Sequence, residues 1–193
     1  MTFSLIPNPD DGIVVVMERR ITIDEYFRMP ETNRPEELIY GFVREPPAPT
    51  YGHQREVVRL ATLLDAHVRA YGLGEICVSP VSVVLDRELE LVVEPDIIFI
   101  SNERLAIAQD RVWGAPDLIV EVASPSTQYR DRTLKLAWYR KYGVRECWLV
   151  YPGDGRVDVI DCATEMKESF AGDVPIRSKV LPDFAVPARE CFT

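Results

Sequence analysis

Glu121 stands inside the run Leu118-Ile119-Val120-Glu121-Val122-Ala123, whose other members are of the kind that fill a buried β-strand. A carboxylate taken out of water is costly unless it is protonated, ion-paired or bound to a cation, so this position demands a partner. A buried pair with Arg145 on the following strand would meet that demand. So would a functional site, where perturbed carboxylates cluster. A second acid lies upstream in Glu94-Pro95-Asp96, ahead of Ile97-Ile98-Phe99-Ile100. Strand alternation puts Glu94, Asp96 and Ile98 on one face, and Asp117, Ile119, Glu121 and Ala123 on one face of the next strand. Where those faces coincide, Asp96 and Glu121 meet. Two carboxylates that close raise each other's pKa unless a divalent ion lies between them, and all-oxygen ligation suits Mg2+ or Mn2+. Taken alone, Asp96 also reads as an ordinary turn or strand-start aspartate.

These acids must be carried by a regular scaffold. Thr22-Ile23-Asp24-Glu25 is a capping box that opens a short helix closed by Pro30. Glu37 to Arg44 reads as a strand broken near Gly41, followed by a stiff Pro46-Pro47-Ala48-Pro49 loop. From His53 to Tyr71 the residues Val57, Leu60, Ala61, Leu64, Val68 and Tyr71 recur at helical spacing, and Gly72 and Gly74 stop the helix. His53 at its start could face the sheet and touch substrate, although a lone histidine there is more often a cap or a packed side chain. Ile76 to Leu85 and Leu91 to Ile100 read as adjacent hairpin strands, and Asp117 to Ala123 as a central strand. Ser124-Pro125-Ser126-Thr127 offers caps for a helix to about Tyr142, with Leu134, Trp138 and Tyr142 on one stripe. Strand Val144 to Tyr151 completes a crossover, and Pro152-Gly153-Asp154-Gly155 turns into an edge hairpin at Val157 to Ile160. The Pro-interrupted tail has no clear element pattern.

The 193 residues match a single domain spanning 1–193, with a core about 22–162. No apolar stretch reaches the ~20 residues of a membrane helix. Met1 to Arg20 lacks a basic start followed by an apolar block, so a cytoplasmic protein is expected. Four cysteines without a CxxC pair point to reduced thiols, with neither zinc nor disulfides. The net charge of −9 disfavours broad attraction to phosphate backbones. Gln128 to Arg145, however, carries Arg130, Arg132, Lys135, Arg140, Lys141 and Arg145 against one acid, Asp131. That segment is the local means of meeting a polyanion.

The ordered set Glu37-Leu38-Ile39-Tyr40-Gly41, His53-Gln54-Arg55, Glu94-Pro95-Asp96-Ile97, Pro116-Asp117 through Ser126-Thr127, and Asp131…Lys135…Tyr139…Gly143-Val144-Arg145 through Val150 resembles the Uma2 family, also called DUF820. The resemblance runs from Thr22 to about Pro152. It implies an α/β fold of the PD-(D/E)XK nuclease type: a restriction-endonuclease-like mixed β-sheet flanked by helices, with an N-terminal helix and an edge hairpin. It also implies metal-dependent phosphodiester hydrolysis. Asp96 matches the Asp of the Pro-Asp element, Glu121 the second acid, and Glu37 an upstream Glu that joins the site. Ala123 stands where the parent motif has Lys, and the resemblance points instead to Lys135 on the following helix. In that reading Asp96, Glu121 and the Val122 carbonyl hold Mg2+ or Mn2+, Lys135 positions water or neutralises developing charge, and Glu37 completes the shell or binds a second ion. The alternative for Lys135 is a solvated helix cation paired with Asp131.

The function expected is therefore a Mg2+-dependent endonuclease acting on DNA as a homodimer. Two other classes remain open. A nuclease-fold module with little catalysis, binding nucleic acid or protein, is favoured by Ala123 and the acidic charge. A metal-free acid–base hydrolase using the carboxylate pair, on a glycoside for instance, would survive a chelator.

Overall fold

The structure, a computed structural model, describes residues 3–8, 12–17, 19–30, 34–123 and 129–192, with backbone alone for 3–8, 12–17 and 129–132. Two mixed sheets flanked by helices make up an α/β fold. The chain begins with strands β1 (Phe3–Asn8) and β2 (Gly12–Met17), then helix α1 (Ile23–Tyr26). The expected capping box is in place: Thr22 Oγ1 accepts from the Glu25 N–H at 3.1 Å and the Thr22 N–H donates to Glu25 Oε2 at 2.9 Å. The strand expected at 37–44 is a tight hairpin of β3 (Glu37–Ile39) and β4 (Phe42–Glu45). Tyr40 and Gly41 turn it with φ of 53° and 87°, the positive pair that two-residue hairpins require.

Helix α2 (Tyr51–Tyr71) starts one turn's edge earlier than its apolar stripe, because Thr50 caps it, and Gly72 ends it in the left-handed conformation. Val57, Leu60, Leu64 and Val68 are buried as the spacing predicts, whereas Tyr71 is exposed. The two strand-like runs that follow each split in two. β5 (Gly74–Val78) pairs antiparallel with β8 (Ile97–Ser101), while β6 (Val83–Asp86) pairs with β7 (Leu91–Val93) in the other sheet. The breaks fall at Pro80 and Pro95, which have no N–H to continue a ladder. One long hairpin thus bends from the first sheet into the second, with Asp96 beside the bend.

Strands β9 (Val112–Trp113) and β10 (Leu118–Val122), helix α3 (Tyr129–Tyr142), and strands β11 (Glu146–Tyr151), β12 (Arg156–Asp161) and β13 (Lys167–Ala171) complete the fold. The sheet orders are β1-β2-β4-β3-β7-β6-β9 and β13-β12-β11-β10-β8-β5. As expected, β10 is central and runs parallel to β11 through the α3 crossover. The strand expected as an edge, β12, is covered by β13, so the hairpin edge lies one strand further out. The proposed caps at 124–127 lie outside the described residues. On α3 the buried residue is Tyr139, with Leu136 and Trp138 beside it, while Leu134 is exposed: the stripe is offset from the expected one.

One face of the second sheet packs on α2 and on tail residues Ile176, Leu181, Phe184, Ala188 and Cys191. Its other face, with Ile98, Ile119, Cys147 and Leu149, packs with Val83, Leu91 and Val93 of the first sheet and with Tyr139 of α3. Among the described residues all four cysteines are free, Cys77 exposed and the others buried. No helix among the described residues is long and apolar enough to cross a membrane.

Candidate active site

Strands β8 and β10 run antiparallel with Ile98 opposite Ile119, so extending that register by two residues sets Asp96 across from Glu121. Both side chains lie at the strand ends and are 18% and 13% exposed. Asp96 Oδ2 accepts the Val122 N–H at 2.7 Å, which ties the first acid to the backbone beside the second. The contacts made with these acids by Val122, His53, Lys135 and Tyr139 fall on Asp96 Oδ2 and Glu121 Oε1. Burial pushes Glu121 up to about 7; Lys135 and a hydrogen bond from Tyr139 pull against that rise, and the charges of Asp96 and Glu37 add to it.

Helix α3 supplies the counter-charge. Lys135 Nζ lies 2.8 Å from Glu37 Oε1 and 3.5 Å from Glu121 Oε1, and the lysine side chain is only 12% exposed. The solvated cation considered from the sequence is therefore not what is found. Four residues on, one helical turn, Tyr139 is fully buried and donates its hydroxyl to the same Glu121 Oε1. Glu37, on β3 of the other sheet, is 2% exposed and also accepts the Glu94 N–H at 3.2 Å. The four residues expected at the site, Glu37, Asp96, Glu121 and Lys135, thus come from two sheets and a helix to one place. The Glu121–Arg145 pair does not form: Arg145 Nη1 instead bonds Asp117 Oδ1 at 3.1 Å.

Three neighbours were not assigned to the site from the sequence. His53 Nε2 lies 3.3 Å from Asp96 Oδ2, with the imidazole side chain 10% exposed and Nδ1 buried with no hydrogen-bond partner among the described residues. Burial alone would depress that imidazole, but Asp96, the Val122 carbonyl and Glu121 outweigh it and hold its pKa above the ordinary value. Tyr139 was legible only as part of the quoted motif. Glu94, next to Pro95, accepts the Glu36 N–H at 3.3 Å, and burial lifts it to about 7 against that hydrogen bond.

Two other buried acids, Glu146 and Asp117, are satisfied structurally. Glu146 accepts from Trp148 Nε1 at 2.8 Å, Ser178 Oγ at 2.6 Å and the Lys179 N–H at 2.8 Å. Asp117 receives the Ser101 N–H at 2.9 Å and Arg104 at 3.2 Å besides Arg145. The basic segment is correspondingly less open than its composition implies. Arg140 pairs with Glu165 at 3.4 Å, Arg145 with Asp117, and Lys135 with the site carboxylates. The side chains of Arg130 and Arg132 lie outside the described residues.

The Uma2 family, described as "Putative restriction endonuclease", matches residues 23–189. The chain belongs to the Uma2 family. A solved structure titled as a "putative nuclease belonging to DUF820" from Anabaena variabilis ATCC 29413 is similar with a TM-score of 0.76 at 20% identity, covering 89% of this chain and 97% of that one. The likeness establishes a shared fold. No curated protein matches.

The donor set of this Uma2 protein fits a hard divalent ion. Asp96 and Glu121 are close enough for the charge of one to raise the pKa of the other. Among the described residues there is no cluster of three or more His, Cys, Asp or Glu arranged for a metal. A two-carboxylate site of this kind matches Mg2+, which commonly keeps several waters and takes one or two carboxylates from the protein.

Proposed function

We propose that this Uma2 chain hydrolyses phosphodiester bonds of DNA with a divalent ion, Mg2+ or Mn2+, held by Asp96, Glu121 and the Val122 carbonyl. The observation that carries the reading is the convergence of Asp96 and Glu121 from adjacent strands beside the buried Lys135 ammonium. When bound, the ion supplies Lewis acidity that activates water and offsets charge building on phosphate. The chain's own groups then have separate tasks. Val122 N–H fixes Asp96 Oδ2 and leaves Oδ1 as the ligand oxygen. Glu37 anchors Lys135 from the opposite sheet, which keeps the ammonium at the site rather than in solvent. Lys135 in turn neutralises part of the carboxylate charge and is placed to stabilise negative charge at a phosphoryl group. Ala123 leaves the strand without the motif lysine, and the helix supplies the cation instead.

A homodimer acting in the cytoplasm is the expected form, since cutting both strands of a duplex takes two sites and two-fold pairs are the commonest assembly. The test is nicking of supercoiled plasmid with Mg2+ or Mn2+ by the wild type, Asp96→Ala and Glu121→Ala. Loss of nicking in both variants, and in wild type with chelator, is expected. Equal nicking by all three would remove the site, and activity that survives chelator would favour a metal-free hydrolase.

A further inference from the structure

His53 lies at the first turn of α2, where its N–H donates to the Thr50 hydroxyl at 3.3 Å, so the residue already contributes to the helix start through its backbone alone. Its side chain does something else. The ring is buried against the site, Nε2 meets Asp96 Oδ2, and Nδ1 has no hydrogen-bond partner among the described residues. An unpaired buried ring nitrogen is destabilising, and a purely apolar residue of similar size would avoid that cost. The ring's polar contacts, with Asp96 and with the Val122 carbonyl, are therefore the informative ones. The contact with Asp96 falls on the same carboxylate oxygen that accepts the Val122 N–H. Two donors from different elements, a helix side chain and a strand amide, thus converge on Oδ2 and fix the torsion of the Asp96 carboxyl. Neither of these two donors engages Oδ1.

We propose that His53 is a positioning residue for the metal site: it locks the Asp96 carboxylate with Oδ1 presented as ligand, and thereby sets the affinity of the site for its divalent ion. This rests on the metal-dependent reading above. A ligand's hydrogen-bonded neighbour of this type typically sets metal affinity by ~10–100-fold. Its contribution comes through the hydrogen bond rather than through ring volume, so an amide that can place a donor at the same point replaces it.

The experiment is calorimetric titration of the full chain with Mn2+ at pH 7.5, for wild type, Asp96→Asn, His53→Leu and His53→Gln, with thermal unfolding of each. Expected are binding by wild type, loss of binding in Asp96→Asn, weakening of ~10-fold or more in His53→Leu, and recovery to within a few-fold in His53→Gln. Wild type that binds no Mn2+ would overturn the metal-dependent reading itself. Wild type that binds and Asp96→Asn that does not, with His53→Leu equal to wild type, would overturn only the role of His53. So would His53→Gln as weak as His53→Leu, since that marks a packing effect. If His53→Leu fails to fold, the folded His53→Gln decides the matter: affinity retained supports the hydrogen bond, affinity lost overturns it.

Discussion

Replacing Lys135 by Met keeps the length and volume of the side chain and removes only its charge. In the wild type that charge sits 2.8 Å from Glu37 and 3.5 Å from Glu121, and at an effective dielectric of ~20 the two attractions are roughly 6 and 5 kcal/mol before desolvation. Desolvation of all three groups offsets much of this, so the measured loss should be that of removing one member of a buried ion pair, ~3–5 kcal/mol. For a chain of this size that corresponds to a fall of ~6–20 °C in the unfolding temperature. The loss should depend on pH. Glu121 is pushed up to about 7 even with the ammonium beside it. A carboxylate whose folded pKa is raised is most stable below its unfolded pKa and loses stability as pH rises through the folded value. Without Lys135 that loss grows, so the gap between K135M and wild type should be small at pH 5 and large at pH 8. Differential scanning fluorimetry at both values, in chelator, measures it. Equal unfolding temperatures at pH 8, or a gap that widens toward acid, would refute the claim that the ammonium neutralises these carboxylates.

Tyr139→Phe should cost ~1.5–3 kcal/mol, the value of a hydrogen bond to a charged group, and should move the titration of Glu121 to higher pH, read by carboxyl NMR. Asp117→Ala strands the buried Ser101 N–H and should cost ~1–3 kcal/mol in urea unfolding at pH 7. Burial works to raise the Asp117 pKa, but Ser101, Arg145 and Arg104 outweigh it and hold it low. Its contribution is therefore full above the ordinary carboxylate pKa of ~4 and fades as pH falls through the lower folded value, so the difference from wild type should shrink at strongly acid pH. Gly74→Ala would set a Cβ 2.1 Å from the Ile100 carbonyl oxygen at a φ of +155°, so β5 must detach from β8 or shift, and its amide protons should exchange faster than in wild type.

The sequence alone determined the central strand with its misplaced acid, the capped first helix, the Gly-stopped second helix, and the crossover that joins β10 to β11. Each of these is local: an apolar run, a Thr-x-x-Glu box or a Gly stop carries its own physical reason within a few residues. The pairing of Asp96 with Glu121 was half-legible, because alternation fixes which residues share a face of one strand but not which strand lies beside it. Tertiary structure decided the rest. Two prolines turned what reads as a simple hairpin into a strand pair shared between two sheets, which is what brings Glu37 of one sheet to the acids of the other. Arg145 went to Asp117 rather than Glu121 because the start of β10, not its end, lies beside the start of β11. His53 and Tyr139 reach the carboxylates from two helices packed on opposite faces of one sheet, a convergence that no spacing along the chain encodes.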